Sequence, residues 1–225
     1  MLIVLEGLDG AGKSTQLKMV TAYFTSLGRK VEYLHFPRYD APVYGHLIAR
    51  FLRGDFGAID QVHPQLVALL FAEDRRDAAA GIRRWMEEGR VVILDRYVYS
   101  NIAFQCAKLP SEEEAASLRD WIFDLEYKHF DIPRPTLNLF LDVPISFVNA
   151  KLNKNRKGED RGYLEGKSDI HEADIRFQMI VRERYLEQCR RDPQFIRIDC
   201  SDPEGAMLPA ADIFLRIRNE IDARL

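Results

Sequence analysis

The sequence has 225 residues, of which 47% are hydrophobic and 30% are charged, and this length can bury one substantial core. The formal net charge of -3 speaks against a broad basic surface for a nucleic acid polymer. The three cysteines are widely spaced, which excludes the pattern of a disulfide framework or a zinc ribbon and favours a reducing, cytoplasmic location.

Short apolar runs alternate with longer helical patterns along the chain. The first run stops at Glu6, so it predicts a buried strand and neither a signal peptide nor a membrane span. The alternation predicts one domain over residues 1–225, an α/β fold whose parallel sheet has helices on both faces. The predicted strands are residues 2–5, 31–36, 91–94, 137–141 and 195–198. The predicted helices are residues 14–27, 64–88, 170–189 and 206–224.

A glycine-rich loop follows the first predicted strand and precedes the first predicted helix. Its sequence fits the pattern GxxxxGK[ST], in which backbone N–H groups surround phosphates at a helix N-terminus. Lys13 is expected to contact the β- and γ-phosphates of ATP, and Ser14 to bind Mg²⁺. The predicted ATP-binding residues are Gly7, Leu8, Asp9, Gly10, Ala11, Gly12, Lys13, Ser14 and Thr15. Such a loop indicates a P-loop fold but leaves GTPases, ATPases and small-molecule kinases open.

Two charged residues, Asp95 and Arg96, close the third predicted strand. The carboxyl ends of parallel strands form the ligand-binding edge of an open α/β sheet. There, Asp95 can hold Mg²⁺ or its water, and Arg96 can grip a phosphate with two hydrogen bonds. The alternative for this pair is an ion pair on the surface.

The segment 151–168 is nearly free of large apolar residues. Its composition alone favours a solvated loop. Its position late in a kinase-like α/β pattern instead suggests a LID insertion, a segment that closes over bound ATP.

Four motifs occur in an order that resembles the thymidylate kinase family. They are GLDGAGKST at residues 7–15, FPRY at 36–39, LLFAEDR at 69–75 and DRYVYSN at 95–101. The resemblance implies transfer of the γ-phosphoryl group of ATP to dTMP, with Mg²⁺ as the cofactor and a homodimer as the assembly. A deoxynucleoside or other nucleotide kinase of the same fold, or a P-loop switch ATPase that binds a partner, stays open as an alternative.

The resemblance also assigns roles at the acceptor site. Phe71 matches the aromatic residue that stacks on thymine, and Arg75 matches the arginine that hydrogen-bonds the base. From the pattern alone, Phe71 could equally be core, and Arg75 could belong to a solvated charged face. Ser100 and Asn101 fall where the family reads the pyrimidine edge, and Phe104 lies near the sugar.

The remaining assignments concern phosphate and sugar. Arg38 and Arg96 match the arginines that hold the acceptor phosphate, although Arg38 could simply cap a strand. Asp9 matches the carboxylate that meets the 3′-hydroxyl of deoxyribose, and Glu172 matches a carboxylate near Mg²⁺ and the acceptor phosphate. His171 departs from the family pattern, where many members have tyrosine.

One further departure concerns the source of the catalytic cation. Gly10 stands where one branch of the family places an arginine, so the resemblance implies that the cation comes from the LID. Arg156 and Arg161 are the expected residues, because a planar guanidinium matches phosphoryl oxygens well. Lys154 and Lys157 are weaker alternatives.

Overall fold

The computed structural model describes residues 1–152, 162, 164, 169, 171 and 174–225. Five strands form one sheet, in which every neighbouring pair is parallel and the order is β2-β3-β1-β4-β5. The predicted α/β fold with a five-stranded parallel sheet is thereby confirmed. The strands are Leu2–Gly7 (β1), Val31–His35 (β2), Val91–Asp95 (β3), Leu137–Asp142 (β4) and Phe195–Asp199 (β5).

Helices cover both faces of this sheet, as the sequence pattern predicts. The helices are Lys13–Ser26 (α1), Tyr44–Leu52 (α2), Pro64–Glu87 (α3), Val98–Cys106 (α4), Glu112–Asp124 (α5), Ile145–Leu152 (α6), Ile175–Arg191 (α7) and Ala210–Asp222 (α8). A π-helical turn, Leu125–His129, continues α5. None of the helices in the described part of the chain has the length and apolarity to cross a membrane.

The central strands are buried on both faces, which explains their continuous apolar runs. Every residue of β1, β3 and β4 is buried. Removing apolar surface from water contributes about 25 cal/mol per Å², so these strands form the energetic centre of the fold. Because β1 lies between β3 and β4, the loop after β1 leaves the sheet beside the end of β3. The fold thus brings the phosphate loop next to Asp95.

Two predicted helices begin later than expected. The prediction of a helix over 170–189 is wrong at its start, because Asp174 caps α7 by accepting a hydrogen bond from the backbone N–H of Arg176 at 2.8 Å. The prediction over 206–224 is also wrong at its start. Met207 pairs with Ser201 in an isolated bridge, and Pro209 precedes the first turn of α8.

The sequence patterns missed α2, α4, α5 and α6. In α4 every side chain is buried, so the helix has no polar face to give it amphipathic periodicity. The start of α5 did carry a readable signal. Ser111 accepts a hydrogen bond from the backbone N–H of Glu114 at 3.1 Å, which is the S-x-x-E capping pattern.

Candidate active site

The glycine-rich loop curls back over the end of β1 and opens α1. Gly12, just before α1, has a φ of 82°, a left-handed conformation that glycine adopts without steric penalty. At Gly7 a Cβ would lie 3.3 Å from the carbonyl oxygen of Leu141 on the neighbouring strand, so the close approach of β4 also favours glycine. The loop therefore holds its backbone at the N-terminus of α1, where N–H groups favour anions.

Lys13 lies beneath this loop. Its Nζ donates hydrogen bonds to the carbonyl oxygens of Gly7, at 3.3 Å, and of Leu8, at 3.1 Å. The same Nζ is 4.0 Å from Oδ1 of Asp95. Burial lowers the pKa of the Lys13 ammonium, which means that its charge is incompletely compensated in the protein. A bound phosphate would supply the missing negative charge.

Asp95 provides the strongest indication of a cation site. Its Oδ1 is buried and has no hydrogen-bond partner among the described residues. Ser14, at the start of α1, is exposed and lines the same cavity as Asp95. A carboxylate and a hydroxyl are oxygen ligands of the kind that Mg²⁺ prefers when it also binds nucleotide phosphates. These two residues fit the metal, and the described residues form no separate cluster of three metal-binding side chains.

Arg96 turns the chain sharply away from β3. It has a φ of 69°, a conformation that costs a non-glycine residue roughly 1–3 kcal/mol and that is concentrated at functional sites. Its Nη2 lies 2.6 Å from Oδ1 of Asp9, and its Nη1 donates to the hydroxyl of Ser100 at 3.1 Å. Burial opposes the Arg96 charge, but nearby carboxylates outweigh that effect and raise the guanidinium pKa. Arg96 therefore stays charged, and its ion pair with Asp9 holds it next to the phosphate loop.

A buried carboxylate that no sequence motif singled out supports this arginine. Glu6, on β1, accepts hydrogen bonds from the backbone N–H groups of Tyr97 (2.8 Å) and Ser100 (3.2 Å), and from the hydroxyl groups of Ser100 and Tyr185. Burial raises the pKa of Glu6, although these hydrogen bonds lower it in part. Glu6 thereby fixes the start of α4 and the residues that surround Arg96. As the first charge in an apolar strand, Glu6 was visible in the sequence.

The far end of the cavity holds the predicted base-reading residues. Arg75 is 2% exposed, and its Nε and Nη2 donate to the two carboxylate oxygens of Glu126 at 2.5 and 2.7 Å. Burial opposes the Arg75 charge, but Glu126 outweighs it and raises the guanidinium pKa. Asn101 donates to the same carboxylate at 3.1 Å. Phe71 is half-buried, packs against a small apolar cluster and also lines the cavity.

The alternative of a solvated charged face is wrong for Arg75 and Asp74, which are both buried. It holds for Arg76 and Asp77, which are exposed. Arg38 reaches across to this helix. Its Nε donates to Oδ1 of Asp74 at 2.9 Å, and its Nη2 donates to Asp77 at 2.6 Å. Two carboxylates of α3 therefore hold the Arg38 guanidinium beside the cavity.

His171 and Phe104 form a third part of the wall. Their ring centroids are 5.2 Å apart, and the guanidinium carbon of Arg96 lies 5.1 Å from the centroid of the Phe104 ring. Burial lowers the pKa of His171 well below its ordinary value, so the imidazole is neutral at physiological pH. Gln178 ties this corner to the phosphate loop, because its Nε2 donates to the carbonyl oxygen of His171 at 2.8 Å and to Oδ2 of Asp9 at 3.2 Å.

Many of these groups line one cavity of about 620 Å³. It brings together most of the predicted site residues: Asp9, Gly10, Ala11, Gly12, Lys13, Ser14, Thr15, Arg38, Phe71, Arg75, Asp95, Arg96, Ser100, Asn101 and Phe104. Gly7 and Leu8 lie behind Lys13 and accept its hydrogen bonds. Arg156, Arg161 and Glu172 lie outside the described residues. His171, which departs from the family pattern, lines the cavity too, and the lining residues to which no sequence motif assigned a role include His35, Gln105 and Asp169.

The chain is similar to several known proteins. The sequence model of the family described as Thymidylate kinase matches residues 5–208. A thymidylate kinase from Mycobacterium tuberculosis is 34% identical over 187 residues, which is 83% of this chain and 85% of that protein. A probable thymidylate kinase from Thermococcus kodakarensis is 35% identical over 199 residues, or 86% of each. The solved structure of thymidylate kinase from Candida albicans shares the fold, with a TM-score of 0.73 and 24% identity over 99% of this chain and 91% of that one.

Proposed function

The chain belongs to the thymidylate kinase family, and we propose that its cavity binds ATP and dTMP together and transfers the γ-phosphoryl group between them. The products are ADP and dTDP. A single observation carries this assignment to the cavity. The phosphate loop, with Lys13 and Asp95, opens into the same 620 Å³ space as Phe71, Arg75 and Asn101, which have the chemistry to recognise a base.

Phosphoryl transfer requires alignment of two anions and neutralisation of charge on the transferred group. In this proposal Lys13 and the backbone N–H groups of the phosphate loop hold the β- and γ-phosphates of ATP. Ser14 and Asp95 would hold Mg²⁺, which supplies charge neutralisation when it is bound. The unpartnered Oδ1 of Asp95 supports this assignment.

In this proposal Arg38 and Arg96 bind the phosphate of the acceptor. Both guanidinium groups line the cavity and are held in place by carboxylates, so they bring fixed positive charge to the site. Fixed charge avoids the reorganisation that free arginine side chains would need during transfer. A phosphate nucleophile is already ionised near neutral pH, so the reaction needs no general base.

The LID assignments remain part of the proposal through the family resemblance. Arg156 and Arg161 would stabilise the transferring group, and Glu172 would lie near the acceptor phosphate. Arg156→Ala or Arg161→Ala should then lower the turnover number more than the affinity for either substrate. If both variants keep the wild-type turnover number, the LID arginines have no part in the transfer.

A coupled assay of ADP release tests the function directly. Purified protein is given ATP and, in separate reactions, dTMP, dUMP, CMP, AMP and free thymidine. We expect efficient turnover with dTMP, no turnover when Mg²⁺ is chelated, and little with free thymidine, because the arginines require an anionic acceptor. Clear turnover with CMP, AMP or thymidine but not with dTMP would reject the proposal. Binding of ATP without turnover of any acceptor would favour a switch protein.

The resemblance also suggests a cytoplasmic homodimer. The three free cysteines are compatible with a reducing compartment. Leu66 and Leu69 on α3 and Met179 and Ile180 on α7 are exposed apolar side chains, which supports helix-mediated association. Light scattering during size-exclusion chromatography should give twice the mass of one chain. A mass of 26.1 kDa at micromolar concentration would contradict the dimer.

A further inference from the structure

Glu126 is a fully buried carboxylate near the base-binding end of the cavity, and the proposed reaction gives it no direct role. It lies on the π-helical turn after α5 and is 0% exposed. Both of its oxygens are used. Oε2 accepts from Nε of Arg75, and Oε1 accepts from Nη2 of Arg75 and from Nδ2 of Asn101. One carboxylate therefore holds both polar groups that face a pyrimidine.

The contacts of Asn101 fix the orientation of its amide. Nδ2 donates to the carbonyl oxygen of Ala68 at 3.0 Å and to Glu126 at 3.1 Å. Because both neighbours are acceptors, the amide nitrogen must face them and the oxygen must face away. Oδ1 is buried and has no hydrogen-bond partner within the described residues, and Asn101 lines the cavity. The Asn101 amide can therefore accept a hydrogen bond from a bound base, while its N–H groups are already used within the protein.

Arg75 is constrained in the same way. The Glu126 carboxylate takes Nε–H and one N–H of Nη2 in a two-pronged pair, so the N–H groups that remain, two on Nη1 and one on Nη2, are the donors that a guanidinium lining the cavity can offer a base. Arg75 thus presents only donors, and Asn101 presents an acceptor. Thymine and uracil have a complementary edge, with O4 as acceptor and N3–H as donor. Cytosine has N4–H₂ as donor and N3 as acceptor, which opposes both protein groups.

We propose that Glu126 is a positioning residue that makes the site selective for thymine and uracil over cytosine, by fixing the Asn101 amide oxygen and the Arg75 donors toward the base. This inference rests on the proposed function, because it assumes that the pyrimidine occupies this end of the cavity. When a buried donor of the protein faces a donor of the base, or an acceptor faces an acceptor, both groups are left without a hydrogen bond. Sites of this kind therefore discriminate strongly against the wrong base.

The variant Glu126→Gln changes this arrangement with little change in volume. Glutamine replaces one of the two acceptors that hold Nδ2 of Asn101 with an amide that can also donate, so only the carbonyl oxygen of Ala68 still fixes the Asn101 amide, and its orientation toward the base is less strictly set. We expect the ratio of kcat/KM for dTMP to that for dCMP to fall by at least about ten-fold. The ratio for dTMP to dUMP should change by less than about two-fold, because thymine and uracil share the same polar edge.

Glu126→Asp is the second variant, because Arg75 would lose its buried counter-charge in Glu126→Gln and the protein could fail to fold. Aspartate keeps that charge but is one methylene too short to contact both Arg75 and Asn101. The dTMP to dCMP ratio should again fall, while thermal melting shows a folded protein. Glu113→Gln is the matched control, since Glu113 is exposed on α5, and its ratios should equal those of the wild type.

The outcomes separate the two proposals. If the wild type turns over dTMP and the Glu126 variants lose activity equally with dTMP, dUMP and dCMP, Glu126 has only a structural role and the inference is overturned. If the wild type prefers a different acceptor to dTMP, the proposed function fails first. In the double variant Asn101→Ser/Glu126→Gln, the Glu126→Gln change should lower the ratio by less than it does in the wild-type background, because the part of its effect that passes through Asn101 is already lost. An equal fall in both backgrounds would contradict action through Asn101.

Discussion

The buried charges at the two ends of the cavity differ in how far other protein groups compensate them. At the base end, Arg75 is paired with Glu126 through two short hydrogen bonds, and both side chains are almost fully buried. At the phosphate end, Nζ of Lys13 contacts backbone carbonyl groups and lies 4.0 Å from Oδ1 of Asp95, which has no hydrogen-bond partner in the described part of the chain. Protein groups alone compensate the charge of Arg75, whereas the charges of Lys13 and Asp95 need bound ligands for full compensation.

This difference has a consequence for stability. Removal of one partner of a buried ion pair leaves an uncompensated buried charge and is strongly destabilising. A buried charge without full compensation opposes folding and is retained for function. Substitutions at the base end should therefore reduce both affinity and stability, whereas substitutions at the phosphate end should reduce activity alone.

Lys13→Met is expected to cause the largest loss of activity. Loss of the ammonium that neutralises transition-state charge should lower kcat by at least about 10²–10³-fold. The free energy of unfolding should stay the same or increase, because burial lowers the pKa of Lys13 and so disfavours its charged form. Steady-state kinetics and urea unfolding check both parts. Lys18→Met, at an exposed site on the same helix, should match the wild type in both. A clear loss of stability in Lys13→Met would contradict the comparison.

Asp95→Asn tests the phosphate end through the metal. The amide keeps the shape of the side chain but removes the charge that would hold Mg²⁺. The Mg²⁺ concentration for half-maximal activity should rise by about 10–100-fold. The unfolding free energy should change little, because the affected oxygen has no hydrogen-bond partner among the described residues. Asp60→Asn, which alters an exposed carboxylate, is the control. A wild-type Mg²⁺ dependence in Asp95→Asn would remove Asp95 from the metal site.

Arg75→Lys tests the base end. Lysine keeps the positive charge but loses the planar pair of donors that matches Glu126. The KM for dTMP should rise by about ten-fold while the KM for ATP stays constant, and the unfolding free energy should fall by about 1–3 kcal/mol. Arg76→Lys, one residue further along α3 and exposed, should affect neither. An equal rise in both KM values would mean that Arg75 does not serve the base end.

The same contrast explains what the sequence could predict. The phosphate loop is a local motif, and the five strands have the apolar runs that a doubly covered sheet requires. Both could be predicted without the structure. The pairing of Arg75 with Glu126 could not, because 51 positions separate the two residues and the charged neighbours of Arg75 favour a solvated helix face. Only the tertiary fold reveals which of these charges is buried.

Other misses have equally local causes. In α4, complete burial removes the polar face from which a helix is usually recognised, although its polar residues Ser100 and Asn101 were assigned to the site. The hydroxyl of Ser100 is taken up by Glu6, Arg96 and Tyr185, so in this structure it supports the arginine. Family resemblance located this residue near the substrate, and the hydrogen bonds give its part in the site.

Substitution of Lys108 is expected to give the smallest change. The pH dependence of the unfolding free energy shows whether its buried charge is uncompensated, as at the phosphate end, or compensated, as at the base end. Its Nζ lies 4.9 Å from the centroid of the Phe51 ring, and burial lowers its pKa to about 7, with Asp169 acting in the opposite direction. Below pH 7 the Lys108 amine is protonated in both the folded and the unfolded chain, so the folded chain has the full free-energy cost of a buried charge. Between pH 7 and the ordinary value of 10.5 the unfolded chain binds more protons, so stability rises with pH.

Lys108→Met should therefore raise the unfolding free energy by about 1 kcal/mol at pH 6, and the gain should shrink toward zero as the pH approaches 10.5. Urea unfolding of both proteins across this range measures the difference, with Lys18→Met as the control that should show none. A gain independent of pH would mean that the introduced methionine stabilises only through packing. A loss at every pH would mean that the ammonium is fully compensated, as Arg75 is, and Lys108 would then resemble the base end in its treatment of charge.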